Sequence, residues 1–111
     1  LQIERAKAIE DIDELLSVPG VGGAIIGPND LALSMGKRDS DMLAALEEPI
    51  QHVLDAALRH DIPCGIHIAN LDWLAEWQRR GMRLICYSTD INFLRGGVAS
   101  GLQKLRATQI S

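Results

Sequence analysis

The feature that most constrains the fold is a strict alternation of short apolar segments with longer amphipathic segments along the 111 residues. The apolar segments are typical of buried strands and comprise Leu1–Glu4, Ala24–Ile26, Cys64–Ile68 and Leu84–Tyr87. Strands that alternate with helices predict an α/β fold with a parallel sheet. A complete eight-unit barrel needs roughly 250 residues. We therefore predict that residues 1–111 form a single partial domain of about four βα units, about half of what a complete (β/α)8 TIM barrel would contain.

Two amphipathic segments precede the third strand. Apolar residues recur at helical spacing over 6–16 and again over 43–58, which predicts one helix in each range. Pro49 lies inside the second range and lacks a backbone N–H, so we expect a kink there or a helix start near Glu47. The segment between the second strand and this helix, residues 36–41, is expected to be a polar loop.

The two later helices have recognisable ends. One is expected over 71–77 with Gly81 closing it, and Asp90 is placed to cap a last helix that extends to Leu105. The last helix contains three glycines, each of which costs it about 1 kcal/mol relative to alanine: Gly96, Gly97 and Gly101. We therefore expect this helix to need a packing partner.

Composition excludes several classes of protein. The net charge of −4 and the pI near 5.2 argue against nucleic acid or an anionic membrane surface as a partner. No apolar run approaches the roughly 20 residues that span a bilayer. Cys64 and Cys86 lie in apolar segments without metal-ligand spacing, so we expect both to be buried thiols in a reducing, cytoplasmic environment.

Carboxylates follow the first two strands at the point where each strand ends. Glu4 follows the first strand, and Asp30 follows the second strand after the turn formed by Gly27 and Pro28. Parallel strands place such ends on one rim, where α/β proteins build active sites, although Asp30 as a simple helix cap is the alternative. Two carboxylates without a Cys or His pair are typical of a Mg²⁺ or Mn²⁺ site.

Further polar groups are expected at the same rim. If a helical turn starts after Pro28, the backbone N–H groups that follow point into the rim and can hold a substrate carboxylate. A divalent ion beside such amides suits a 2-oxo acid, whose keto and carboxylate oxygens chelate it. His67, near the end of the third strand, is expected to face this rim, whereas Arg5 is expected to point away from it.

Four sequence segments resemble the class II aldolases of the HpcH/HpaI family, over essentially the whole chain: LQIE, GPNDLALSMG, PCGIHIAN and RRGMRLICYSTDINFL. The resemblance implies the C-terminal half of an aldolase barrel that cleaves 4-hydroxy-2-oxo acids into pyruvate, or a related oxo acid, and an aldehyde. It implies that Glu4 and Asp30 bind a divalent cation (Mg²⁺ or Mn²⁺, with Co²⁺ a further candidate). It also implies that the amides of Asn29 and Asp30 bind the substrate carboxylate and that His67 lines the substrate pocket. The partners implied are a small-molecule 2-oxo acid and further copies of the chain, in a homo-oligomer that exchanges the last helix.

The sequence departs from the family pattern in one respect. The family's enolate-stabilising arginine and its proton-transferring histidine lie on earlier strands, so no catalytic residue is assigned within residues 1–111 and the isolated chain is expected to be inactive. Three alternatives stay open. They are a CoA-thioester lyase of the citrate lyase β-subunit type, a non-catalytic metal- or anion-binding half-barrel, and a purely structural α/β module.

Overall fold

A computed structural model describes residues 1–38 and 42–108 of the chain. Four parallel strands form one sheet in the order of the sequence. The strands are β1 (Gln2–Ile3), β2 (Ala24–Ile26), β3 (Cys64–Ile68) and β4 (Leu84–Tyr87). All four were expected from the apolar segments, and the parallel α/β architecture is confirmed. The predicted loop over 36–41 lies partly outside the described residues.

Six helices connect or follow these strands within the described residues. They are α1 (Ala6–Glu10), α2 (Ile12–Leu16), α3 (Pro28–Ser34), α4 (Met42–Arg59), α5 (Leu71–Arg80) and α6 (Asp90–Ala107). Among the residues that the structure describes, no helix is long and apolar enough to cross a membrane.

Two of the predicted helices have different bounds in the structure. The helix expected over 6–16 is interrupted at Asp11, whose backbone leaves helical geometry at φ −97° and ψ 17°. Helix α4 begins at Met42 and continues through Pro49, so a start near Glu47 is wrong. A proline inside a helix costs about 3 kcal/mol. That cost is offset because α4 buries apolar side chains on both sides of Pro49, at Leu46, Ile50, Val53, Leu54, Ala56 and Ala57.

Helix α6 is capped by a different residue from the one expected. Thr89 is the N-cap, with extended backbone and a hydroxyl that accepts a hydrogen bond from the Asn92 N–H at 3.4 Å. Asp90 is instead the first helical residue, and its carboxylate accepts from the Ile91 N–H at 2.7 Å. Both residue types are good caps, so the sequence alone did not distinguish them.

The core lies on one face of the sheet, against α2 to α5. Ile3, Ile26 and Ile66 are neighbours in the strand register and are buried in this core. We call this the helix-covered face. Because side chains alternate along a strand, the intervening residues belong to the opposite face. This open face carries Gln2, Glu4, Ile25, His67 and Cys86.

The two cysteines differ in environment, contrary to expectation. Cys64 is buried on the helix-covered face, and its burial raises the pKa of the thiol to about 11, which keeps it protonated and unreactive. Cys86 is exposed, so its predicted burial is wrong. It belongs to the open face of β4, a strand with no buried residue.

Candidate functional site

The sheet register brings two predicted site residues to one face and one end of the sheet. Ile3 pairs with Ile26 and Ile26 pairs with Ile66, so the next positions along β1 and β3, Glu4 and His67, turn toward the open face. Both lie where their strands end. This is the edge at which open α/β sheets and barrels place their functional groups.

The Glu4 side chain is half-buried, and it has room there because Gly27, the residue after β2, has no side chain. The Gln2 side-chain amide donates a hydrogen bond to its carboxylate. A Cβ atom at Gly27 would lie 3.0 Å from Glu4 Oε1 and 3.1 Å from its Cγ. Any larger side chain at Gly27 would therefore press on the Glu4 carboxylate.

Asp30 lies in the first turn of α3 and does not cap that helix. Gly27 is the N-cap and Pro28 the first helical residue, a favoured position for proline because its missing N–H would have no helical partner there. Asn29 and Asp30 follow, and the N–H groups of a helix's first turn have no carbonyl partner within the helix. The positive end of the helix dipole also favours a carboxylate at this position.

The structure brings Glu4 and Asp30 to one cavity of about 280 Å³, whose lining also includes Arg5, Leu33 and Ser34. Arg5 was expected to point away from the site, but it lies at this cavity. Sequence reasoning missed it because its position depends on how the segment after β1 packs against α3. A larger cavity of about 740 Å³ lies over α4, away from the strand ends, and it contains none of the predicted site residues.

Ser34 joins the two segments that carry the carboxylates. Its hydroxyl accepts a hydrogen bond from the Ala6 N–H at 2.8 Å and donates one to the Leu31 carbonyl at 2.9 Å. The end of α3 is thereby tied to the beginning of α1, two residues after Glu4. Sequence reasoning overlooked Ser34 because the hydrogen bond links residues 28 positions apart.

His67 lies on the open face but outside the cavity of Glu4 and Asp30. Its side chain is exposed, and its Nε2 atom lies 2.6 Å from the carbonyl oxygen of Ser88. Ser88 follows β4 and has a φ of +58°, in the left-handed region that non-glycine residues rarely adopt. The ends of β3 and β4 are therefore linked through the imidazole.

The donor set at the rim fits a hard cation that keeps several waters or substrate oxygens. Two carboxylates share one cavity, which is the usual protein contribution to a Mg²⁺ site. Within residues 1–38 and 42–108, no group of three or more His, Cys, Asp and Glu side chains is arranged to hold a metal ion. The described residues therefore offer two carboxylates at this cavity, those of Glu4 and Asp30.

Together, the parallel βα units and the strand-end carboxylates define an α/β protein built on part of a TIM barrel. The model of the HpcH/HpaI aldolase/citrate lyase family matches residues 1–93, and the chain belongs to this family. Its sequence is 31% identical over 111 residues to the 5-keto-4-deoxy-D-glucarate aldolase of Salmonella arizonae, covering 97% of this chain and 41% of that protein.

Two further comparisons agree with this assignment. The hydroxypyruvate/pyruvate aldolase of Delftia acidovorans is 30% identical over 109 residues, which cover 98% of this chain and 40% of that protein. A crystal structure of a family member from Burkholderia cenocepacia superimposes with a TM-score of 0.88 at 28% identity, covering 95% of this chain and 41% of that one. The chain therefore spans about two fifths of the length of the curated relatives it matches.

Proposed function

We propose that this chain is the metal-binding part of a divalent-metal-dependent aldolase that cleaves 4-hydroxy-2-oxo acids into pyruvate, or a related oxo acid, and an aldehyde. The observation that carries the proposal is the shared cavity of Glu4 and Asp30 at the carboxyl ends of neighbouring parallel strands. Membership in a family with aldolase relatives supports the reaction class. Residues 1–111 then form one partial domain, the C-terminal half of the barrel.

Glu4 and Asp30 are the proposed ligands of the cation, with Mg²⁺ or Mn²⁺ preferred and Co²⁺ a further candidate. When bound, the ion supplies Lewis-acid polarisation of the substrate keto group. The segments that carry the two carboxylates are fixed to each other, because Ser34 joins α3 to α1, and the Gln2 amide donates a hydrogen bond to the Glu4 carboxylate. Ligands that need little rearrangement bind with a smaller entropic cost.

The proposed carboxylate site is the first turn of α3. The Asn29 and Asp30 N–H groups donate to the substrate carboxylate, and the helix dipole favours an anion there. His67 lines the part of the pocket that receives the aldehyde portion of the substrate. Proton transfer and enolate stabilisation come from residues that precede Glu4 in a longer polypeptide, as the family resemblance implies.

We also propose a cytoplasmic homo-oligomer in which α6 packs on a neighbouring subunit. The exposed apolar side chains of α6 support this assembly, since they occur along its whole length: Ile91, Phe93, Leu94, Val98, Leu102 and Leu105. Such a row of apolar residues is stabilised when another surface covers it.

A retro-aldol assay tests the proposal. Pyruvate released from a 4-hydroxy-2-oxo acid is coupled to NADH oxidation, with Mn²⁺, for residues 1–111 and for a longer chain that includes the preceding strands. We expect turnover only in the longer chain, because positioned proton transfer alone contributes about 10²- to 10⁴-fold and enolate stabilisation about 10²- to 10³-fold more.

Two variants of the longer chain complete the test. Asp30→Asn removes a proposed ligand and should abolish metal-dependent turnover, whereas Asp72→Asn changes an exposed carboxylate on α5 and should not. Equal turnover in both variants contradicts the metal assignment. Cleavage of a malyl-CoA or citryl-CoA thioester in place of the oxo acid contradicts the proposed substrate class.

A further inference from the structure

The hydrogen bond between His67 and Ser88 fixes which ring nitrogen carries a proton. The acceptor is a backbone carbonyl, which has no hydrogen to donate, and it lies 2.6 Å from Nε2. Nε2 must therefore be the protonated nitrogen of the neutral ring. Nδ1 is then left with a lone pair and can only accept a hydrogen bond.

The carbonyl that imposes this tautomer is itself held in place. The Ser88 N–H donates to the Ile68 carbonyl at 3.2 Å, which continues the pairing of β3 with β4. The next residue, Thr89, is the N-cap of α6. Ser88 between them adopts a φ of +58°, a conformation that persists only where the surrounding structure enforces it. The position of the acceptor is therefore set by backbone geometry.

The imidazole belongs to the open face, at the same end of the sheet as Glu4 but two strands away from it. Its neighbours on that face are the glycine two residues earlier, Gly65, and the register partner Cys86. Neither is a strong hydrogen-bonding group. Within the described residues, the Ser88 carbonyl is the one hydrogen-bond partner of the His67 side chain. Nδ1 is thus a hydrogen-bond acceptor with no partner among the described residues, on the face of the sheet that carries Glu4.

From this geometry we propose that His67 is a specificity-determining residue. Held as the Nε2–H tautomer by Ser88, it accepts a hydrogen bond through Nδ1 from a hydroxyl group on the aldehyde portion of the substrate. The site then prefers hydroxylated aldehydes over those that lack the hydroxyl. The inference rests on the proposed aldolase function, because it assigns the aldehyde end of the substrate to the neighbourhood of His67.

The first test measures the tautomer in the 111-residue chain, independently of activity. Long-range ¹H–¹⁵N correlation spectra distinguish protonated from unprotonated imidazole nitrogens, and the His67→Asn spectrum identifies the signals of His67 among those of the three histidines. We expect a proton on Nε2 and none on Nδ1. A proton on Nδ1 overturns the inference, whatever the enzyme assay gives.

The second test uses aldol addition of pyruvate to two aldehydes that differ by one hydroxyl group, glycolaldehyde and acetaldehyde, in the longer chain. A single neutral hydrogen bond changes the ratio of their kcat/KM values by about two- to twelvefold. In His67→Gln, which has no acceptor at the Nδ1 position, we expect the ratio to fall by this factor, through KM rather than kcat. His67→Asn places its amide oxygen near the Nδ1 position and should retain the preference.

His52→Gln is the matched control, because His52 is an exposed histidine on α4 away from the strand ends. It should leave the ratio unchanged. An unchanged ratio in His67→Gln, or an equal loss in the Asn and Gln variants, overturns the inference. If neither aldehyde reacts in a metal-dependent manner, the proposed function fails, and the tautomer is then decided by the spectra alone.

Discussion

Helices α4 and α6 are both 18 residues long but contribute to the fold in opposite ways. Helix α4 buries six side chains in the core, whereas α6 buries none. Strand β4, which leads into α6, has no buried residue either. The buried core is therefore concentrated before residue 83, and within residues 1–38 and 42–108 no other element buries the side chains of the last strand and helix.

The two faces of the sheet differ in the same way. The helix-covered face is apolar and closely packed, and the open face carries Glu4, His67 and Cys86. One face forms the core, and the other carries the proposed binding site. Substitutions on the two sides should therefore have separable effects, on unfolding and on binding respectively.

The largest difference is expected between matched leucine truncations in the two helices. Leu54 on α4 is 1% exposed and Leu102 on α6 is 46% exposed. Leu54→Ala should lower the free energy of unfolding by about 2–5 kcal/mol, whereas Leu102→Ala should change it by less than about 0.5 kcal/mol. Urea titration of dilute chain, followed by circular dichroism, measures both. Equal losses contradict the contrast between α4 and α6.

Two glycine substitutions should have opposite signs. A Cβ atom at Gly65 would lie 1.8 Å from the Leu84 carbonyl oxygen, so Gly65→Ala forces β4 away from β3 and should cost about 1–3 kcal/mol. Gly101 on α6 has no atom within 4 Å of such a Cβ. Gly101→Ala should instead stabilise the helix by up to about 1 kcal/mol.

Hydrogen exchange of the Arg83 amide, which donates to the Cys64 carbonyl at 2.9 Å, reports the pairing of β3 with β4. It should accelerate in Gly65→Ala and stay unchanged in Gly101→Ala. If Gly65→Ala leaves this amide protected, the close approach of the two strands is not what requires glycine at this position.

The smallest effect on stability is expected for the ion pair and hydrogen bonds that connect α2 to the end of α4. Asp13 accepts from Arg59 Nη2 at 2.9 Å and lies 2.9 Å from His60 Nε2, and these partners lower the pKa of its carboxyl below 3.8. A carboxyl with a lowered pKa in the folded state stabilises the fold above its unfolded pKa, and this contribution is lost as the pH falls through the folded value.

Asp13→Asn should therefore flatten the decline in unfolding free energy as the pH falls through the ordinary value of 3.8 and below it, while Glu14→Gln, at an exposed neighbour without these partners, should not. Urea titrations across this pH range provide the measurement. Identical pH profiles for wild type and Asp13→Asn would mean that the exposed contacts of Asp13 contribute nothing to stability, as is common for surface ion pairs.

Much of this architecture was predictable from local patterns. The apolar runs predicted the strands. Glu4 and Asp30 were expected at the rim because they follow the first two strands. Local patterns gave wrong predictions where tertiary contacts determine the structure. The tolerance of Pro49 depends on burial across α4, and Cys86 is exposed because the described residues bury neither face of β4.

The surroundings of the site were the least predictable part. Ser34 and Ser88 act through hydrogen bonds to residues that are distant in sequence, Ala6 and His67. No periodicity or motif marks such pairs. The sequence therefore indicated Glu4, Asp30 and His67 as candidates near the strand ends, but neither the position of Arg5 at the cavity nor the two serines.

We propose above all that Glu4 and Asp30 bind one divalent cation on the open side of the sheet. Calorimetric titration of Mn²⁺ into the folded chain tests it directly, with Glu4→Gln, Asp30→Asn and the control Asp72→Asn. Loss of groups that merely support a ligand weakens metal binding about 10- to 100-fold, so losing a ligand should weaken it at least as much. We expect one Mn²⁺ per chain in wild type and Asp72→Asn, and severely weakened binding in the other two variants. Equal affinity in all four proteins would contradict it.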